Sequence, residues 1–338
     1  MHAESFGVGK LPMTFLETML KRYAGHDERI VVGPRVGEDA VVLDMGDHYL
    51  VAKTDPITFA TDEIGWYVVN VNANDVAAMG ALPRWLLLSL LLPEKGSDAT
   101  RVEEIFSQVH GACQALGVTL CGGHTEITYG LDRPIAIGFM LGEMKKGDLV
   151  RTSGARVGDH LILTKGIAIE GTATLALEMG ARLEKLVGEE LVVRGRRFLK
   201  EPGISVVRDA QILCRTGNPH AMHDPTEGGL ATGLWELAQA SGKGLIVDLD
   251  LVYRFPETVA FCQVLDLDPL GVLASGAMLV SCAPQESALM IEALASEGIQ
   301  ATRIGLVTDG PASVQIQTED GQMPMPTFER DELLRVLA

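Results

Sequence analysis

Residues 85–92 read Trp-Leu-Leu-Leu-Ser-Leu-Leu-Leu, with Ser89 the only polar position. A strand with one wet face alternates apolar and polar residues, and this run does not, so it reads as a central strand apolar on both faces. At eight residues it is well short of the roughly 20 apolar residues of a membrane span, and Pro83-Arg84 and Pro93-Glu94 bracket it. The chain has 338 residues, 47% of them hydrophobic. That is enough apolar material for a large core, and a length at which single cores usually give way to two domains.

The rest of the chain supplies alternating strands and helices. Apolar runs at 41–44, 49–52, 118–121 and 135–144 read as strands, and 63–79 and 100–116 as helices with one apolar face. Pro56 is expected to end the strand that begins at Tyr49. After a polar, glycine-containing linker at 145–158, strands are expected at 159–165, 245–249, 278–282, 304–307 and 314–316. Helices are expected at 167–179, 184–200, 203–213, 230–240, 257–262 and 285–297. The expectation is an α/β chain of α+β type: a glycine-containing segment and first helix at 1–36, a domain at 37–150 with helices on one face of its sheet, and a second α+β domain at 151–338.

A formal charge of -17 argues against nucleic acid, which needs clustered Lys and Arg. With no membrane span and no continuous apolar stretch of the signal-peptide kind, a cytoplasmic location is expected. The five cysteines are far apart and never in a C-x-x-C pair, which disfavours disulfide scaffolds and zinc knuckles.

Several loci carry chemistry. Gly37-Glu38-Asp39-Ala40 places Asp39 between small residues at a strand entrance, as suits a metal ligand. Lys53-Thr54-Asp55 places a second acid at a strand end. The helix at 63–79 carries Asn70, Asn72, Asn74 and Asp75, residues that disfavour helix interiors unless they are used. Gly122-Gly123-His124-Thr125-Glu126 reads as a glycine loop after a strand, where backbone approaches a ligand. Asp224-Pro225-Thr226-Glu227-Gly228-Gly229 precedes a helix whose N-terminus is an anion site, with Asp224 or Thr226 as its cap. Lys10 stands in a glycine segment within reach of a phosphate. His220 and His223 read as a structural or solvated loop pair. There is no G-x-x-x-x-G-K-[ST], no Gly-x-Ser-x-Gly and no H-E-x-x-H. The scattered carboxylates suit Mg²⁺, which takes a few oxygens plus phosphates and waters, so a nucleotide site here would be metal-dominated.

At these residues the chain resembles the superfamily of aminoimidazole ribonucleotide (AIR) synthetase, selenophosphate synthetase, thiamine monophosphate kinase and the hydrogenase maturation factor HypE. Gly37-Glu38-Asp39-Ala40 is similar to its G-D-D-A, Lys53-Thr54-Asp55 to its T-T-D, and the run from Val71 to Pro83 to its V-N-x-N-D-L-A-x-M-G-A-x-P. Gly122 to Thr125 resembles G-G-[DEH]-T, and Asp224 to Ala231 looks most like the D-P-T-R-G-G-L-A of HypE. The resemblance implies a homodimer whose first domains pair their sheets into a barrel, with ATP at the dimer cleft. It further implies phosphorylation of an amide or carbonyl oxygen on a small molecule or a maturation partner protein. Carried over by position, Asp39, Asp55 and Asp75 would hold Mg²⁺. Gly37, Lys53, Thr54, Asn72, Gly122, Gly123, His124, Thr125, Glu126 and Lys10 would face the nucleotide. Asp224, Thr226, Glu227, Gly228 and Gly229 would form a substrate or phosphate loop. The chain departs from the pattern at His124, where several members have an acid, and at Glu227, where HypE has Arg. It also ends Arg335-Val336-Leu337-Ala338 without the terminal cysteine of HypE, and no nucleophile precedes Gly9-Lys10.

Overall fold

The computed structural model describes residues 6–7, 9, 11–35, 37–58 and 60–337. After a first helix, α1 (Met13–Tyr23), six strands form one sheet: β1 (Ile30–Val32), β2 (Val41–Asp44), β3 (His48–Ile57), β4 (Leu82–Pro93), β5 (Thr119–Thr128) and β6 (Ile135–Lys145). Their order is β1-β2-β3-β6-β4-β5. All neighbours are antiparallel except β4 and β5, whose parallel pairing requires the crossover helix α3 (Ala99–Leu116). The helix α2 (Ile64–Ala78) joins β3 to β4.

A second sheet of seven strands follows: β7 (His160–Thr164), β8 (Ala221–His223), β9 (Gly244–Val247), β10 (Leu279–Cys282), β11 (Ala301–Thr308), β12 (Ser313–Thr318) and β13 (Gly321–Pro324), in the order β13-β12-β9-β11-β7-β10-β8. Its helices are α4 (Ile169–Glu178), α5 (Gly180–Val187), α6 (Glu189–Arg197), α7 (Val207–Thr216), α8 (Gly229–Ser241), α9 (Pro256–Leu265), α10 (Pro284–Ser296) and the short α11 (Leu334–Leu337). The α+β architecture expected from the sequence is present.

Three local expectations are corrected. Strand β3 does not stop at Pro56 but runs to Ile57, with Pro56 opposite Ile137 on β6. The Gly122–Glu126 run is not a loop: all five residues pair with β4 inside β5. The apolar run of β4 is not covered equally on both faces. Leu86, Leu88, Leu90 and Leu92 are buried, whereas Trp85, Leu87, Ser89 and Leu91 are half-buried, level with an exposed Phe139 on β6.

Helix α2 explains how the two units share one core. It is buried on nearly every side, packing on β3, β6 and β4, on α3, and on α7 and β8 of the second unit. A helix buried all round must satisfy its polar side chains internally. Asn70 donates to Trp66 O at 2.9 Å. Asn74 donates to Ile204 O and accepts from Val206 N, both at 2.8 Å, so it fastens α2 to the second unit. Asn74→Ala leaves two buried backbone groups unpaired at a cost of roughly 3 kcal/mol. Urea unfolding of the variant should show that loss; an unchanged midpoint would contradict this role for Asn74.

Candidate functional site

The first unit brings four polar side chains toward the second. Asp39 precedes β2, Lys53 and Asp55 lie on β3, and Asp75 lies on α2. Asp55 is held through its backbone: its N–H donates to Asn72 Oδ1 at 2.7 Å and its carbonyl accepts from Asn72 Nδ2 at 3.2 Å. This clamp needs Gly138 opposite Asp55 on β6, because a Cβ there would stand 2.3 Å from Asn72 Nδ2. Asn72 is thus spent on positioning β3.

The second unit supplies the other half. His223, the last residue of β8, is buried and donates from Nδ1 to Asp39 Oδ1 at 2.8 Å and from Nε2 to Glu236 Oε2 of α8 at 3.0 Å. Burial opposes a charged ring, but Asp39 and Glu236 together outweigh it and hold the His223 pKa well above its ordinary value. Thr152, from the segment joining the two sheets, donates to Asp39 Oδ2 at 3.1 Å. Asp224 completes the cluster: one ligand atom each from Asp39, His223 and Asp224 lie within 4.8 Å of one another.

The electrostatics are unbalanced. Both Asp224 oxygens and Asp75 Oδ2 are buried without a hydrogen-bond partner. Burial, with Asp39 next, pushes the Asp224 carboxyl up to about 8. Burial also drives Asp75 well above the carboxylate range, although Lys53 at 3.1 Å works the other way. Lys53 itself is raised: burial lowers it, and Asp75 and Asp55 outweigh that. Buried carboxylates without partners are what a divalent cation would relieve.

The structure does not bring every sequence candidate here. Gly122 to Glu126 lie three strands away in the same sheet, since Asp55 pairs with Gly138, Gly138 with Leu88 and Leu88 with Gly123. That is about 14 Å at the usual strand spacing. The run is exposed along the sheet edge, where His124 Nε2 meets Glu126 Oε2 at 3.2 Å. Gly37 and Thr54 flank the acids, and Lys10 lies outside the described residues. Neither Asp224 nor Thr226 caps α8, whose N-cap is Gly228 with no side-chain cap. Asp224 turns into the acid cluster, while Gly228 N donates to Asp331 Oδ2 at 2.8 Å and Thr226 O accepts from Ala274 N at 3.2 Å. Glu227 stands near a buried Glu170, whose carboxyl burial pushes to about 7. The sequence reading gave no role to Glu236 and Thr152 and read His223 only as structural or solvated. The signal for His223 was its place directly before Asp224.

Two α+β units closed over one buried acid cluster define the class. The N-terminal domain model of AIR synthase related protein matches residues 37–144, and the C-terminal domain model matches residues 156–317. The chain belongs to the AIR synthase related family. It is 31% identical over 311 residues to carbamoyl dehydratase HypE of Cupriavidus necator, spanning 86% of this chain and 82% of that protein. Among solved structures, it matches HypE in a HypE–HypF complex with a TM-score of 0.75 at 22% identity, over 94% of this chain and 100% of that one. It matches HypE in complex with ATP with a TM-score of 0.72 at 24% identity, over 96% and 97%. These likenesses show a shared fold.

The raised Asp224 carboxyl has a consequence for stability. Its folded value lies above its ordinary 3.8, so the unfolded chain gives up this proton first. Each pH unit between the two values then favours unfolding by ~1.4 kcal/mol. The contribution is intact below about 4 and is lost as pH rises toward 8. In chelator, Asp224→Asn should overtake wild type increasingly as pH rises from 5 to about 8, read by thermal unfolding. A gap independent of pH would contradict the shift.

Proposed function

We propose that this chain is a Mg²⁺-dependent, ATP-using protein of the HypE kind that activates an amide or carbonyl oxygen. The observation that carries the reading is Asp224, whose two oxygens are buried and unpartnered and whose ligand atom lies within 4.8 Å of those of Asp39 and His223, together with a buried unpartnered oxygen on Asp75. The donor set fits Mg²⁺, which prefers carboxylate oxygens and keeps waters and phosphates as further ligands. Asp39 and Asp224 would hold the ion, with Asp55 and Asp75 nearby. Bound there, Mg²⁺ neutralises phosphate charge. The chain's own residues do the rest. Asn72 fixes the β3 backbone under Asp55, His223 and Thr152 hold both oxygens of Asp39, and the second unit covers the cluster. The resemblance to ATP-bound HypE supports the choice of nucleotide.

The chain is further read as a homodimer. On the side of the first sheet away from α2, Trp85, Leu87, Leu91, Ile135, Ile137 and Leu141 are half-buried around an exposed Phe139. Such an apolar face suits a second copy. The exposed Gly122–Glu126 edge, remote from the acids in its own chain, would then act at the cleft between copies. The substrate is a small molecule or a group on a maturation partner protein. The HypE–HypF complex favours a second reading, an assembly factor that binds ATP and a partner without turnover.

Calorimetry with Mg-ATP tests the nucleotide and metal together. Binding is expected below about 1 mM, and EDTA or Asp75→Asn should weaken it at least about tenfold. Binding that ignores both treatments contradicts the metal-dominated site. ADP release in the presence of candidate substrates, absent in Asp55→Ala, separates the enzyme from the assembly factor.

A further inference from the structure

The loop that carries Asp224 is fastened by a carboxylate from the far end of the chain. Helix α8 is entered through Gly228, which sits at φ 77° and has no side chain to cap the helix. Its amide donates instead to Asp331 Oδ2 at 2.8 Å, a buried bond across 103 residues. Asp331 Oδ1 accepts from Leu333 N at 2.9 Å, so each carboxylate oxygen holds one backbone amide. A residue able to cap the helix itself does not fit at 228: the φ is left-handed, and a Cβ there would stand 2.2 Å from Thr232 Oγ1.

Asp331 is held firmly enough to serve as an anchor. After β13 the chain crosses the second unit at 326–337, where Glu332 N donates to Gly271 O at 3.1 Å and Glu332 Oε2 accepts from Asp268 N at 3.0 Å. Phe328 lies so close to Gly271 that a Cβ there would meet its ring at 2.4 Å, and Leu333 is buried. Burial pushes the Asp331 carboxyl up to about 6, against the pull of the Leu333 and Gly228 amides, so it is an anion at neutral pH. That charge suits the N-terminus of a helix. What it holds lies between two residues of the site. Gly228 comes four residues after Asp224 and eight before Glu236, which accepts from His223 and through it steadies Asp39.

We propose that Asp331 is a positioning residue for the cation cluster: it touches no ion, but by fixing Gly228 it sets where Asp224 and, through α8, Glu236 stand. This rests on the metal site proposed above. The C-terminal segment is thereby part of the framework of the site, although the hydrogen bonds of Asp331 go to backbone amides and not to the cluster. Thr226 O, which accepts from Ala274 N at 3.2 Å, tethers the loop at a second point. Loss of Asp331 therefore frees the end of the loop and the first turn of α8 rather than the whole fold.

Mn²⁺ alone is the probe, its free fraction read by electron paramagnetic resonance with the full chain, alongside hydrogen exchange over 224–236. Asp331→Ala is expected to bind Mn²⁺ at least about tenfold more weakly than wild type and to exchange the 224–236 amides faster. Asp331→Asn, whose one amide oxygen replaces two acceptors, should fall between; if Asp331→Ala does not fold, Asp331→Asn carries the test. Val192→Ala, a truncation of a fully buried side chain on α6, should lower the melting temperature and leave the Mn²⁺ affinity as in wild type. Wild-type affinity in the folded Asp331 variant, an equal loss in Val192→Ala, or weaker binding with unchanged exchange over 224–236 overturns the inference while the metal site stands. No Mn²⁺ binding by wild type removes the metal site, and the inference with it.

Discussion

A hydrogen bond between His223 and Asp39, 184 residues apart in the chain, joins the two units at the buried acid cluster. Both ring nitrogens of His223 face carboxylates, so the ring is held as a cation where burial alone would discharge it. Removing either partner would strand the other in a buried setting, a loss usually of several kcal/mol. The acids therefore constrain one another: Asp39 is oriented from the second unit, and Asp224, next to His223, is delivered by the same strand end.

Helix α2 extends the same logic. It buries an all-round surface, so each of its polar residues is either paired or part of the site. Asn72 ties down β3, Asn74 ties down 204–206, and Asp75 alone keeps a buried oxygen unpartnered. That residual imbalance, together with Asp224, is what the proposed cation would relieve. Where the first sheet is open, on the face bearing Leu87 and Phe139, the residue left exposed is apolar, which is why the proposed function places a second copy there.

Much of this could be read from the sequence, for identifiable reasons. Strand β4 announces itself through a nearly unbroken apolar run and helices α2 and α3 through apolar periodicity, and glycines and prolines mark their ends. Asp39 and Asp75 stood out because small or helix-disfavoured residues surround them, and Asp55 because it was read at a strand end. The Gly122–Glu126 run did not behave as its composition suggested, because pairing with β4 overrides the loop preference of two glycines. Gly123 sits at φ 145° where a Cβ would meet Leu88 O at 1.9 Å, so the glycine serves the ladder itself. Asp224 resembled a helix cap because spacing along the chain cannot show which way a carboxylate turns. His223 was obscured because it read as one of a loop histidine pair, structural or solvated, whereas it ends strand β8 and is buried.

The central claim is that one buried cluster, built from both units, is where the cation resides. Crystals soaked with Mn²⁺ and a non-hydrolysable ATP analogue, measured at the manganese absorption edge, test it directly. The account predicts an anomalous peak between Asp39 and Asp224. A peak only along the exposed β5 edge at His124 and Glu126, or none with the analogue bound, would contradict it.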